Sequence, residues 1–375
     1  MFIDMSFGLN EPTLISIAYF SYLLAFLMYA AYLTMRSSPA LLVRRSSVAL
    51  AGASTSGTVE MASGTGNPSP SVPRPQVAYA PALGRVASGL VILAWVSLTA
   101  ALTIRWLEVG HPPWVTLYEV ITALVWGTTT IYLVLFELIL KTRAAGVFCV
   151  LLIFCLQSYA LWFIPADLQR PIELVPALRS NWLLIHVSMA IIAYSAFAVA
   201  AGAGLTFLAK HHLKNRLTAS LPSEAAIEEF MFRAVAIGFP FQALLLITGA
   251  VWAQEAWTKA WSWDPKETWA LVTFLTYAAY LHVRVQRGVR GVSMAWLSIV
   301  GFFVVLFTLM GVNYLVQWFG IESMHTYNQP AGRSLDVMGI ALVVMFVTVL
   351  ALALFSWLRI RFPWSKRKEP QAERD

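Results

Sequence analysis

Met294-Ala-Trp-Leu-Ser-Ile-Val-Gly-Phe-Phe-Val-Val-Leu-Phe-Thr-Leu-Met-Gly-Val-Asn-Tyr-Leu-Val316 is a run of 23 residues without a charged side chain. A helix needs roughly 20 mostly apolar residues to cross about 30 Å of hydrocarbon, so this run reads as a membrane span. Similar runs recur on both sides of it, at about 13–35, 86–104, 117–140, 144–164, 181–209, 233–253, 269–286 and 336–358, making nine in all. The composition agrees: 59% of the 375 residues are hydrophobic, 12% are charged and the mean hydropathy is +0.68. That balance excludes an ordinary water-soluble fold. The runs are continuous, whereas barrel strands alternate over about ten residues, so helices that satisfy their own backbone groups are the expected spanning elements. The expected fold is all-α, a polytopic transmembrane helical bundle of about nine spans in a lipid bilayer.

Charge gives the orientation. A net charge of +7 invites a nucleic-acid reading, but the basic residues gather at helix ends and form no stripe, so no nucleic-acid partner is expected. With the N-terminus outside, 20 of the 26 Lys and Arg fall in cytoplasmic segments, and the positive-inside rule gives N-out, C-in. The organisation that follows is a first helix with a short outer N-terminus at 1–35, a linker at 36–85, a transmembrane core at 86–358 and a basic cytoplasmic tail at 359–375. The linker, with Ser63-Gly-Thr-Gly-Asn-Pro-Ser-Pro-Ser-Val-Pro, has too little apolar surface to offset the entropy of ordering and reads as disordered. Cys149 and Cys155 lie inside one apolar run and read as packing residues.

Residues 252–269, Trp252-Ala-Gln-Glu-Ala-Trp-Thr-Lys-Ala-Trp-Ser-Trp-Asp-Pro-Lys-Glu-Thr-Trp269, carry five tryptophans in eighteen positions on the expected outer surface. Interfacial belts account for one or two indoles at a helix end, and Asp264, Pro265 and Glu267 make a capping-box start for the next helix. Five indoles in one connection also suit a flat, large, apolar ligand such as a tetrapyrrole, since indole faces give wide contact area at low rotamer cost.

Trp257 to Glu267, with its Trp-x-Trp-Asp-Pro-Lys-Glu core, resembles the tryptophan-rich WWD signature of haem-handling proteins, in particular the CcsA/ResC branch of system II cytochrome c biogenesis. The similarity runs through Trp269 to Tyr280-Leu-His-Val-Arg284, back to Gly249-Ala-Val-Trp252, and upstream to Gly110-His-Pro-Pro-Trp-Val-Thr-Leu-Tyr-Glu119, covering about 86–335. Thr258 and Ala260 depart from the pattern, which has a glycine and an aromatic residue there. The resemblance implies haem b as substrate and bound ligand, held by Trp252, Trp257, Trp261, Trp263 and Asp264. It also implies apocytochrome c and a ResB/CcsB-type membrane subunit as partners, in a bacterial cytoplasmic membrane with the haem site on the outer side.

Histidines complete the expected site. His186, near the outer end of the fifth span, and His325, after the eighth, share the side of the tryptophans. Neutral imidazole is a good axial ligand for haem iron, although a lone histidine at a helix end is more often an interfacial hydrogen-bonding residue. The resemblance implies that His186 and His325 are the external iron ligands. His282 lies thirteen residues after Trp269, about 20 Å down its helix, where an unpartnered imidazole is costly. The resemblance implies a second, intramembrane haem site at His282, completed by the other subunit. His211 and His212 read as headgroup contacts and His111 as structural. The expected activity is haem movement to the outer face and its presentation for thioether attachment, as part of a holocytochrome c synthase complex. A WWD-family haem exporter or carrier without synthase activity, and a non-haem membrane transporter subunit, are the competing readings.

Overall fold

The computed structural model describes residues 10–36, 76–139, 146–172, 179–213 and 221–321, together with positions 143, 218, 323, 325, 344, 347–349 and 351–354. The tail at 359–375, most of the 36–85 linker and most of the ninth expected span lie outside the described residues.

Eight rods cover most of the described chain: α1 (Glu11–Arg36), α2 (Gln76–Val109), α3 (Leu117–Tyr132), α4 (Gly146–Trp162), α5 (Asn181–Leu213), α6 (Glu224–Trp257), α7 (Pro265–Gln286) and α8 (Val292–Leu306). A π-helical stretch, Leu133–Ile139, continues α3, and another, Phe307–Gly311, carries α8 into the short helix at Val312–Phe319. No strand occurs among the described residues. With α3 taken through its continuation to Ile139 and α8 through its continuation to Phe319, six of these rods are long and apolar enough to cross a membrane, and α4 is apolar but shorter, so the protein is a multi-pass helical membrane protein. α7 falls outside the six: its tyrosines, threonines and charged ends dilute the apolar run.

Helix starts follow the local sequence. Asn10 accepts the amide of Thr13 at 3.1 Å and opens α1. Thr116 and Glu119 form a capping box at α3, Ser223 caps α6 by accepting from the Ala226 amide, and Asp264 and Glu267 form the expected capping box with Pro265 in the first turn of α7. Such caps satisfy amides that have no partner inside the helix. Helices α2 and α6 begin about ten residues before the apolar runs that announced them, because capped or solvated helical turns extend beyond the hydrocarbon and leave no hydropathy signal.

α5 is the axle of the bundle. It packs most extensively on α6 and also on α3, α4 and α8. The reason lies in its side chains: Ala193, Ser195, Ala196, Ala198 and Ala200 are fully buried and small, which lets neighbouring backbones approach closely, the arrangement that favours packing where lipid supplies no hydrophobic drive.

Charge pairs mark the two ends. At one end Arg105 of α2 pairs with Glu11 of α1 at 2.7 Å and with Glu119 of α3 at 2.8 Å, and also donates to the carbonyl of Gln169 after α4. At the other, Arg284 of α7 pairs with Glu228 of α6, and Glu137 accepts from Tyr29 and Ser88. The first end is the one that the basic-residue count assigns to the outer face.

Candidate functional site

A cavity of about 590 Å³ opens at the Arg105 end of the bundle, and its wall includes His186, His325, Trp252, Trp257 and Trp261. That volume lies within the range of small-molecule sites. Its floor descends between α3 and α5 past Val120, Leu124, Ile191 and Tyr194, so the inner part is largely apolar.

The two histidines arrive from distant parts of the chain and meet at Trp252, which is 5% exposed. Ring centroids of His186 and Trp252 are 5.9 Å apart, and those of Trp252 and His325 are 5.8 Å apart. Trp257 closes the group, 5.0 Å from Trp252 and 5.0 Å from His325. The indoles wedge the imidazoles and limit their rotation.

Each imidazole is also fixed by hydrogen-bonding groups. Nδ1 of His186 lies 2.9 Å from the carbonyl oxygen of Leu245 on α6, which selects the tautomer with hydrogen on Nδ1 and leaves Nε2 as a lone-pair donor. The ring comes this close because residue 249 is glycine: a Cβ there would meet Cε1 and Nδ1 of His186 at 2.9 Å. Nδ1 of His325 faces Oδ1 of Asp264 at 3.3 Å, off the line of a hydrogen bond. Burial pushes the Asp264 carboxyl up, but the His325 ring, the Lys266 amide and the Ser323 hydroxyl outweigh it and hold the group at about 2. The carboxylate is therefore charged at neutral pH. Nζ of Lys266 donates to the carbonyl of His325 at 2.9 Å.

The tryptophan-rich segment is not one loop. Trp252 and Trp257 lie on the last turns of α6, Trp269 lies on α7, and the connection is Thr258 to Asp264. Thr258 ends α6 in the left-handed region at φ 59, the conformation that favours glycine at this position, which is the physical content of the departure noted there. Trp263 also has a positive φ of 60. It is 69% exposed, packs edge-on against Trp261 at 5.7 Å and does not line the cavity. Asp264 does not line it either and stands behind His325. His282 is exposed on α7, roughly 25 Å along the helix from its start, and is not brought to the cavity.

Sequence reasoning left out Lys266, Gly249 and the Leu245 carbonyl. Gly249 begins the Gly249-Ala-Val-Trp252 motif, but its use depends on how α5 and α6 cross. The cavity wall also contains Trp114 to Leu117, from the upstream motif. There Glu119 accepts from the amides of Val115 and Thr116 while paired with Arg105, so the motif shapes the rim. His111 contacts the carbonyls of Pro112 and Ile172, and His211 pairs with Glu224.

Residues 114–319 match the family model described as Cytochrome C assembly protein. The chain is 36% identical to a protein named cytochrome c biogenesis protein CcsA from Guillardia theta, over 64% of this chain and 84% of the relative. A protein of that name from Microcystis aeruginosa is 33% identical, with 68% of this chain and 89% of the relative covered. One from Chlamydomonas reinhardtii is 36% identical, with coverage of 66% and 68%.

Proposed function

This chain belongs to the cytochrome c assembly protein family, and from that we propose that it moves haem b to the outer face of a bacterial cytoplasmic membrane and presents it there for attachment to apocytochrome c. The observation that carries this reading is the convergence of His186 and His325 on one indole-walled cavity. Haem is the substrate, and the residues suit it. Two neutral imidazoles match the axial preference of haem iron, and the indoles match the macrocycle faces. Trp261 Nε1 is buried without an acceptor among the described residues, so it is a donor available to a haem carboxylate.

Orientation follows the charge count, with about nine spans and the cavity outside. The partners are a ResB/CcsB-type membrane subunit and apocytochrome c, and the chain acts as part of a holocytochrome c synthase complex. The covalent step is addition of a cysteine S–H across a vinyl C=C: a C–S bond forms, the proton goes to the neighbouring vinyl carbon, and no net oxidation occurs. The chain's contribution is positioning. Holding thiol and vinyl at reacting distance supplies several kcal/mol of the barrier, within the roughly 7–11 kcal/mol available to well-oriented reactants. His186 and His325 fix the plane presented, and the wall of Trp252, Trp257 and Trp261 excludes water.

The test is haem occupancy and holocytochrome c formation in His186→Ala and His325→Ala, expressed with the partner subunit. Both variants lose haem at the outer site and form no holocytochrome c, with recovery on added imidazole. Full activity in both without imidazole refutes the reading, and a purified protein without a Soret band in any preparation points to a non-haem transporter subunit. Retained haem delivery with no attachment, in a reconstituted assay containing the partner and apocytochrome, points to a carrier.

A further inference from the structure

Four consecutive residues divide the work around His325. Asp264 faces Nδ1 of the imidazole at 3.3 Å. Pro265 opens α7 where no backbone N–H is needed. Lys266 donates from Nζ to the His325 carbonyl at 2.9 Å. Glu267 accepts from the Asp264 and Ser262 amides at 3.2 Å and 2.8 Å, which holds the loop that carries Asp264.

Helix capping alone does not demand this set. Asn, Ser and Thr cap as well as or nearly as well as Asp, and a buried carboxylate is costly unless its charge is met. Asp264 is 6% exposed, so a charge placed there has to be balanced by its surroundings, and the imidazole of His325 is next to it. Nδ1 of His325 has no aligned acceptor among the described residues. Asp264 is the acceptor within reach once Nε2 is committed to a metal.

We propose that Asp264 and Lys266 are positioning residues for His325, the carboxylate orienting the ring and strengthening Nε2 as a donor, the ammonium fixing the backbone that bears it. The proposal rests on the haem reading above and deepens it. An imidazole whose second nitrogen faces a carboxylate is a stronger ligand than one whose second nitrogen faces a carbonyl, and groups of this kind behind a metal ligand typically change metal affinity about 10–100-fold when removed. Lys266 acts on the same residue through its main chain, so the ring's direction and its donor strength have separate supports.

The experiment uses the full chain with its partner subunit, haem b as the probe, and the variants Asp264→Asn, Asp264→Ala, Lys266→Met, Lys266→Arg and His325→Ala. Asn keeps the cap and removes the charge. The expected result for Asp264→Asn is haem affinity about tenfold weaker and a raised haem midpoint potential, with an unchanged Tm for the haem-free protein. Lys266→Met loses haem content and Lys266→Arg restores it. Wild-type affinity and potential in Asp264→Asn, with both altered in Asp264→Ala, show a cap alone and overturn the Asp264 assignment. Wild-type haem content in Lys266→Met overturns that of Lys266. A wild-type spectrum in His325→Ala brings down the haem reading itself, and this inference with it, whereas loss in His325→Ala beside wild-type Asp264→Asn brings down the inference alone.

Discussion

Gly249 on α6 lies against the ring of His186 on α5, so close that a methyl group at 249 would stand 2.9 Å from both Cε1 and Nδ1. The ring has no easy retreat, since Nδ1 is held at 2.9 Å by the Leu245 carbonyl. Gly249→Ala is therefore expected to turn the imidazole away from the cavity, lowering haem occupancy to near that of His186→Ala. In the His186→Ala background the same substitution should leave Tm unchanged, because the partner of the clash is gone, and such non-additivity is the mark of direct contact. Haem absorbance and thermal melts of the two single variants and the double variant check this.

Thr258 holds a left-handed conformation at φ 59, which costs an L residue about 1–2 kcal/mol and a β-branched one the upper part of that range. Thr258→Gly removes the strain and leaves the hydrogen bond from the residue 258 amide to the Gln254 carbonyl at 3.1 Å in place. A gain of about 1 kcal/mol is expected after the greater entropy of unfolded glycine is set against it. The measurement is Tm in detergent, and a fall in Tm overturns the strain account.

The capping box of α7 was legible because it has a local signature, Asp-Pro-x-Glu before an apolar run, whereas His186 and His325 stood out only through the family resemblance, since a histidine at a helix end alone reads as an interfacial residue. Trp252 fell within the expected span at 233–253, but Trp257 was legible as a tryptophan and not as helical, since a helix that outlasts its apolar stretch leaves no hydropathy trace. Gly249 and Leu245 were not legible as site residues. Their role comes from the crossing of α5 and α6, and a backbone carbonyl has no side-chain identity to read. Lys266 stands in the Trp-x-Trp-Asp-Pro-Lys-Glu core, but its acceptor is a carbonyl 59 residues away, a relation that no spacing rule contains. The small-residue face of α5 was present in the sequence as alanine and glycine, while the neighbours it admits were not.

Arg105 ties α1, α2, α3 and the segment after α4 through Glu11, Glu119 and the Gln169 carbonyl. Glu119 is 1% exposed, so Arg105→Met strands a buried carboxylate, which typically costs about 3–5 kcal/mol. Lower yield and Tm are expected, together with reduced haem occupancy, because Leu168 and Ile172 beside Gln169 line the cavity. Arg105→Met/Glu119→Gln should recover most of the stability, since the stranded charge is gone. Failure of the double variant to recover would locate the loss at Glu11 or Gln169 instead.

His282 presents the opposite case, an exposed imidazole on α7 with the buried Arg284–Glu228 pair two residues further along. An exposed side chain contributes little to packing, so His282→Ala is expected to leave Tm within a degree or so of wild type, as surface substitutions usually do. If His282 holds haem together with the partner subunit, the variant loses haem at the cytoplasmic end and forms less holocytochrome c, while haem supplied to the outer cavity still gives the spectrum of the His186 and His325 pair. Co-purification with the partner, followed by spectra of His282→Ala and of His186→Ala, separates the two sites. The Arg284–Glu228 pair sharpens the test: it fixes the rotation of α7 against α6, so Arg284→Met should turn His282 out of register and reproduce the His282→Ala haem spectrum, but with a lower Tm. An unchanged spectrum in His282→Ala would leave that imidazole as an interfacial residue and confine haem to the cavity at the other end.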